Sequence, residues 1–386
     1  MSGQGKFIVP PAVIGILGGG QLGRMMAVSA REMGYRIAVM EPKEDSPCGM
    51  IADHEVVASY DDQLGAKKLA DVCDVLTYEF ENITAETAAY LEKTMYLPQG
   101  SELLQISQDR LKEKEMISSY DIPVAPYQAV YTFAQLKEAA EEIGLPAVLK
   151  TTRGGYDGKG QYMLKEQDDI HKSWQLLKEA APLVLEKKMD FDLEVSVIMT
   201  RSTNGEMSVF PIGENVHRNG VLHQTIVPAR ISQEAEEKAE VLARRLAESI
   251  ELVGTLAVEM FVLGNDIYVN EIAPRPHNSG HYTINACETS QFEQHIRAIC
   301  GWPLGSTKLL KPTVMVNLLG QHVEPYLAQH SSLPPAHVHL YGKEEAKQGR
   351  KMGHVTFLTD DIEELLKTID ASPIWKQTEL TGGQSL

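Results

Sequence analysis

Three stretches of this sequence hold residue types suited to handling phosphate and metal. The first is Gly18-Gly19-Gly20-Gln21-Leu22-Gly23, which fits the spacing GxGxxG between an apolar strand pattern and a helical one. Glycines let backbone N–H groups approach an anion, and a helix N-terminus favours negative charge. An acid, Glu41, closes the next strand about 20 residues on, as in dinucleotide-binding folds. A nicotinamide cofactor and a phosphorylated substrate would suit this turn equally well.

The second stretch is Arg153-Gly154-Gly155-Tyr156-Asp157-Gly158-Lys159-Gly160-Gln161. It lacks the Ser/Thr after the lysine and the helix after the glycines that a Walker A loop needs. Between two antiparallel strands it can instead act as a flap over polyphosphate, using backbone N–H groups and Lys159. Lys150, at the end of the preceding strand, aims a second ammonium at the same anion.

The third is a hairpin, Gly254–Leu263 and Asp266–Ile272, turning at Gly264-Asn265. Pairing about residue 265 sets Glu259 opposite Glu271. Like charges so placed repel, at a Cβ separation of roughly 5 Å. Magnesium is the natural relief, because it binds one or two carboxylates together with phosphate oxygens. A slip of one residue would undo the pairing. Asn270 through His281 then follows, dense in polar groups and stiffened by Pro274 and Pro276. Arg275 offers a fork for carboxylate or phosphate, and His277 is of the type that titrates near neutrality and moves protons. Further on, Arg350 and Lys351 place two cations at a strand start.

The elements that must carry these groups follow from periodicity. Strands are expected at Ala12–Leu17, Arg36–Met40, Val72–Tyr78 and Thr94–Leu97, with a helix over Leu22–Met33. This alternation predicts a parallel sheet with right-handed crossovers. After a charged helix at Gln108–Ser119, short strands dominate: Ala147–Lys150, Gln161–Lys165, Leu183–Lys187 and Leu193–Thr200. Helices over Phe133–Ile143 and Ile170–Ala180 complete a small α+β unit. A long helix, Gln233–Glu251, precedes the hairpin. The last eighty or so residues hold strands at His337–Tyr341 and His354–Leu358 and a helix at Asp361–Ile369.

The 386 residues suffice for two or three domains, and the formal charge of −17 argues against nucleic acid or an anionic membrane as partner. Anions must be met by local clusters of cations. No apolar run reaches membrane-spanning length, and the apolar start reads as a strand rather than a signal peptide, so a cytoplasmic location is expected. Cys48, Cys73, Cys287 and Cys300 have no metal-site spacing and read as inert thiols.

Taken together, GGGQLGRM at 18–25, YEFEN at 78–82, GGYDGKGQ at 154–161 and NEIAPRPHNSGHYT at 270–283 resemble the N5-carboxyaminoimidazole ribonucleotide synthases. The likeness spans about residues 12 to 358. It implies an α/β and α+β fold of three domains in the ATP-grasp manner. These are an N-terminal Rossmann-like parallel-sheet domain (1–107), an ATP-grasp domain (108–300, with a lid at about 123–200) and a small β-rich C-terminal domain (301–386).

The resemblance also implies a function: ATP and bicarbonate carboxylate the amine of aminoimidazole ribonucleotide through carboxyphosphate, in purine biosynthesis. Around ATP it places Arg110, Lys150, Gly155 to Gln161, Glu186, Lys187, Lys188, Met189, Glu194, His217, Asn270 and Glu271. Magnesium falls to Glu259 and Glu271, and carboxylation to Asp157, Lys159, Arg275 and His277. The ribonucleotide falls to Gln21, Leu22, Glu81, Asn82, Arg275, Arg350 and Lys351. A homodimer is implied. Position 159 is Lys where many members carry Arg, which keeps the charge but loses the fork. Another ATP-grasp ligase of purine metabolism, a nicotinamide-dependent dehydrogenase and a non-catalytic nucleotide sensor are the competing readings.

Overall fold

The computed structural model describes residues 5–154 and 160–375. Gly155, Tyr156, Asp157, Gly158 and Lys159, the centre of the expected flap, therefore lie outside the described residues.

The first hundred residues alternate as expected. Strands β1 (Val13–Leu17), β2 (Arg36–Glu41), β3 (His54–Val57) and β4 (Val75–Tyr78) form a parallel sheet in the order β3-β2-β1-β4. Helices α1 (Gln21–Glu32), α2 (Gln63–Ala70), α3 (Ala85–Thr94) and α4 (Glu102–Ser107) accompany this sheet, and α5 (Arg110–Ser119) follows, its Ile117 packed in another core with Val195 and Val258. The strand expected over Thr94–Leu97 is absent. Helix α3, with Ala88 and Leu91 buried one turn apart, carries through Thr94. The three residues beyond it are too short for a ladder, and Leu76 N donates to Tyr96 O as a single 2.9 Å bond. Strand β3 escapes periodicity because it is a largely exposed edge.

A second sheet, all antiparallel, has the order β5-β8-β6-β7: β5 (Tyr127–Val130), β6 (Ala147–Thr151), β7 (Gln161–Leu164) and β8 (Leu183–Lys187). Helices α6 (Phe133–Ile143) and α7 (Gln167–Leu177) pack on it. Thr132 and Gln135 form a capping box that starts α6, and each satisfies the other's backbone N–H. The described ends of the flap are Gly154 and Gly160, and the antiparallel pairing of β6 with β7 sets Lys150 opposite Gln161.

The third sheet has nine strands: β9 (Leu193–Arg201), β10 (Met207–Val209), β11 (Gly213–Arg218), β12 (Val221–Val227), β13 (Gly254–Leu263), β14 (Asp266–Ala273), β15 (Thr313–Leu319), β16 (His337–Leu340) and β17 (Lys351–Leu358). Its order is β14-β13-β9-β11-β12-β15-β17-β16, with β10 beside β9. The C-terminal strands thus extend the sheet that carries the glutamate hairpin, and this brings Lys351 towards it. Helix α8 (Gln233–Ser249) lies on one face. Its buried Ala235, Ala239, Ala243 and Leu246 make a row of mostly small side chains that lets the helix sit close to the strands. Helices α9 (Thr283–Ala286), α10 (Gln291–Cys300), α11 (Gly320–Gln329) and α12 (Ile362–Ala371) complete the chain.

Helix α10 joins the first and third sheets. Phe292, Ile296 and Ile299 share a core with Met25, Met26 and Val39. His295, fully buried, accepts from Thr255 N at 3.1 Å through Nδ1, and its Nε2 lies 2.8 Å from Thr77 Oγ1. Burial holds this imidazole neutral, pushing its pKa down to about 3. Among the described residues no helix is long and apolar enough to cross a membrane.

Candidate active site

The hairpin pairs Glu259 with Glu271, and the route to that register is instructive. The turn is Gly264-Asn265, with Leu263 paired to Asp266 and Met260 to Val269. Continued unchanged, that register would set Glu259 against Asn270. A bulge opposite the Glu259–Met260 step inserts Asn270 as an extra residue and moves Glu271 opposite Glu259. Burial first, and then the charge of Glu271, push the Glu259 carboxyl up to about 8. Two acids so arranged call for a cation. Among the described residues no group of three or more His, Cys, Asp and Glu forms a metal cage. The donor set is two carboxylates, which suits a magnesium ion whose remaining ligands come from phosphate and water.

Around this pair the expected residues converge. His277 Nε2 lies 3.3 Å from Glu259 Oε1, and His277 Nδ1 lies 2.9 Å from Ser279 Oγ. His217 Nδ1 on β11 lies 2.7 Å from Glu194 Oε2 on β9. Burial works against protonation of His217, but Glu194, and secondarily Glu259, outweigh it and raise its pKa. His277 goes the other way. Burial, with Arg275 and Lys351 nearby, holds it well below the usual histidine range. The expectation that it titrates near neutrality is therefore corrected: it stands as a neutral imidazole. Arg275 donates through Nε to Glu81 Oε2 at 2.6 Å and through Nη1 to Pro276 O at 3.2 Å. Burial alone would raise the Glu81 carboxyl, but Arg275 outweighs it and keeps the group ionised.

On the facing elements, Lys150 Nζ lies 2.9 Å from Glu186 Oε2. Glu186 Oε1 is buried and has no hydrogen-bond partner among the described residues. Glu186 ends β8 with Lys187, and Lys188 and Met189 follow. The Lys187 and Lys188 N–H groups donate to Pro126 O and Pro146 O at 2.8 and 3.2 Å, which pins this hinge. Arg110 opens α5, and its N–H donates to Thr152 O at 2.9 Å at the base of the flap. Gln161 opens β7 and is exposed, as is Asn82.

The first glycine turn departs from expectation. Gly19 N donates to Glu41 Oε2 at 2.7 Å, Gly23 N to Glu79 Oε2 at 2.6 Å, and Gly20 N to Glu79 Oε1. Tyr60 also donates to Glu41. The turn's glycine donors thus already hold two of the protein's own carboxylates, and Glu41 faces the turn rather than a ribose. The nicotinamide reading loses its footing here. Glu79 is buried, and burial lifts it to about 7 against the two N–H groups that lower it. Gln21 and Leu22 begin α1, and with the Leu22 side chain buried only its backbone could meet a ligand.

Sequence reasoning missed five residues. Lys343 donates to Lys351 O at 2.8 Å, and burial, with Arg350 and Lys351 close by, lowers its ammonium to about 8. Three cations gathered this way can meet an anion, as the paired glutamates can meet a cation. Asn278, next to His277, keeps both ends of its buried amide unpartnered among the described residues. Glu79, Glu113 and Lys114 are buried charged side chains. Glu79 was visible inside YEFEN, and Lys343 lay within reach of Arg350-Lys351. Helix α5, charged on all sides, gave no sign that Glu113 and Lys114 turn inward.

Comparison with known proteins accords with this geometry. Family models match as a ribonucleotide synthetase preATP-grasp domain over 12–108, an ATP-grasp domain over 115–292 and a phosphoribosylaminoimidazole carboxylase C-terminal domain over 313–368. The N5-carboxyaminoimidazole ribonucleotide synthase of Bacillus subtilis (strain 168) is 54% identical over 365 residues, covering 94% of this chain and 96% of the relative. The chain belongs to the N5-carboxyaminoimidazole ribonucleotide synthase family. A solved synthetase of that family in complex with ADP superposes with a TM-score of 0.94 at 56% identity, over 96% of this chain and 98% of the other. The synthase from Aspergillus clavatus, solved with ADP and 5-aminoimidazole ribonucleotide, gives 0.84 at 33% identity, over 93% and 96%. As an N5-carboxyaminoimidazole ribonucleotide synthase family member, the chain is an ATP-grasp ligase of mixed α/β fold.

Proposed function

We propose that this ligase carboxylates the amine of 5-aminoimidazole ribonucleotide with bicarbonate, using ATP, in purine biosynthesis. The observation that carries this reading is the facing pair Glu259 and Glu271, set in the same site as Lys150–Glu186 and beside Arg275 and His277. Such a site can hold a metal-bound triphosphate and a small anion together.

Glu259 and Glu271 would hold magnesium, which when bound neutralises charge on the phosphates. Lys150 and Arg110 present fixed positive charge to the triphosphate, and the hinge from Glu186 to Met189, with Glu194, Asn270 and His217, frames the nucleoside. Bicarbonate oxygen attacks the γ-phosphorus in line, the bond to the β,γ-bridging oxygen breaks, and ADP leaves with that electron pair. Arg275, held by Glu81, orients bicarbonate and then the carboxyl group of carboxyphosphate through its remaining N–H groups. His277 stays neutral and donates or accepts a hydrogen bond at an oxygen of that group. The exocyclic amine attacks the carboxyl carbon, the C–O bond to phosphate breaks, phosphate departs with that electron pair, and the amine proton passes to the Asp157 carboxylate. Asp157 and Lys159 belong to this step by sequence.

The ribonucleotide phosphate fits the cluster of Lys343, Arg350 and Lys351, with the N–H groups of Gln21 and Leu22 at the start of α1, with Glu81 in electrostatic range of Lys351, and with Asn82 next to Glu81. A homodimer and a cytoplasmic setting accompany this reading. Its test is phosphate release from ATP. Turnover that needs both aminoimidazole ribonucleotide and bicarbonate, and yields an acid-labile carboxylated product, is expected. Release driven equally by another amine or by formate would sink the assignment.

A further inference from the structure

Lys114 is the most enclosed charged side chain near the site, with 2% of its side chain exposed. It cannot reach a ligand in solvent, and the mechanism above makes no use of it. An isolated ammonium in such a place costs several kcal/mol, so its partners matter. Nζ lies 3.4 Å from Glu186 Oε2, the same oxygen that Lys150 holds, and donates to Asn270 O at 3.4 Å. It also sits over the Tyr127 ring at 6.0 Å. Asn270 is the extra residue of the bulge, without which Glu271 would not face Glu259. One buried ammonium therefore touches both the carbonyl that sets the glutamate register and the carboxylate that anchors the phosphate-facing lysine.

Helix α5 holds this ammonium in place. Asp109 caps the helix by accepting from Leu111 N and Lys112 N, and pairs with Arg153 at 3.2 Å at the flap base. The neighbouring Glu113 is also buried and accepts from Ile272 N, one residue beyond Glu271. The helix thus grips β14 on both sides of the metal-facing glutamate.

We propose that Lys114 is a positioning residue for the magnesium–nucleotide site. Its ammonium fixes the Asn270 bulge, and hence the Glu259–Glu271 pair, at a set distance from Lys150–Glu186. The inference rests on the nucleotide reading of that site. Lys114→Met keeps the length and apolar stem, and Glu186 retains Lys150, so the variant is expected to fold.

The test is calorimetric binding of ADP with saturating magnesium, and separately of aminoimidazole ribonucleotide, to the full-length enzyme. Lys114→Met should weaken magnesium–ADP at least tenfold and leave the ribonucleotide within twofold. Lys114→Gln, whose amide can still donate to Asn270 O, should lose two- to fivefold, and it carries the test alone should the Met variant fail to fold. Unchanged magnesium–ADP affinity in either folded variant, or equal losses for both ligands, overturns the proposal. Lys150→Met serves as the control. If it too leaves magnesium–ADP binding intact, the nucleotide reading itself fails. If it abolishes binding while Lys114 is neutral, only the role of Lys114 falls.

Discussion

Two regions of this molecule look alike in sequence and differ in how their charges are placed. The glycine turn at 18–23 and the hairpin at 254–273 both read as ligand sites. In the turn, Glu41 and Glu79 occupy the N–H groups of Gly19, Gly20 and Gly23, so most of the anion-binding capacity is consumed internally. In the hairpin, Glu259 and Glu271 face each other, and burial together with the charge of Glu271 pushes Glu259 up to about 8. The cluster of Lys343, Arg350 and Lys351 gathers like charge of the opposite sign. A functional site is better recognised by like charges that the fold gathers than by a loop able to bind.

The comparison can be broken at several points. The largest effect is expected at the glutamate pair. Glu271→Gln should lower kcat by about 100-fold or more, as loss of a charge-stabilising group at the reacting phosphate does. Glu259→Gln should be inactive too, yet more stable without ligand. Its folded pKa is raised, so the wild-type carboxyl destabilises the fold as pH rises from about 4.5 towards about 8. Urea unfolding at pH 8.5 should show the variant ahead by more than about 1 kcal/mol. A less stable variant would mean that the pair is compensated after all.

The satisfied turn should behave the other way. Glu79→Ala strands two buried N–H groups, and a loss of about 2 kcal/mol in unfolding free energy is expected, with ADP affinity unchanged. A smaller effect is expected at the cationic cluster. Arg350→Ala should raise the KM for the ribonucleotide about tenfold, since a hydrogen bond to a charged group contributes about 1.5–3 kcal/mol, while the KM for ATP stays put. Steady-state kinetics with each substrate varied in turn decides this.

The smallest effect concerns the row of imidazoles His281, His354 and His339, in which His354 stacks on His339 at 4.5 Å between centroids and lies tilted to His281 at 4.7 Å. Burial holds His354 well below the ordinary histidine range. A depressed folded pKa gives stability that is present above pH about 6.5 and lost as pH falls below it. The buried carboxyls Glu79, Glu113 and Glu259 work against this, so the whole-protein profile is blunted. The difference between wild type and His354→Gln isolates one histidine. Below pH 6.5 wild type should lose up to about 1.4 kcal/mol per pH unit more than the variant. Parallel profiles would refute the assignment.

Much of this was legible in the sequence, for reasons that particular residues make plain. Helix Phe133–Ile143 was readable because its apolar spacing and capping box agree. The Glu259–Glu271 pairing was also read correctly, but by an argument that assumed a turn centred on Asn265 and no bulge. The real turn is shifted by half a residue, and the Asn270 bulge restores the pair. The Thr94–Leu97 segment misled because a short apolar run after a helix has no partner ladder visible in the sequence. Glu79, Lys114 and Lys343 were missed because a buried charge and an exposed one are written with the same letter. Only the tertiary fold shows which N–H groups, carbonyls or carboxylates surround them.

The most direct test of the central claim compares ADP affinity with and without magnesium for wild type and for the double variant Glu259→Gln/Glu271→Gln. Wild type should bind ADP at least tenfold more tightly with the metal, and the double variant should show no difference. A double variant that keeps the full magnesium effect would contradict the claim that these two glutamates hold the ion on the nucleotide.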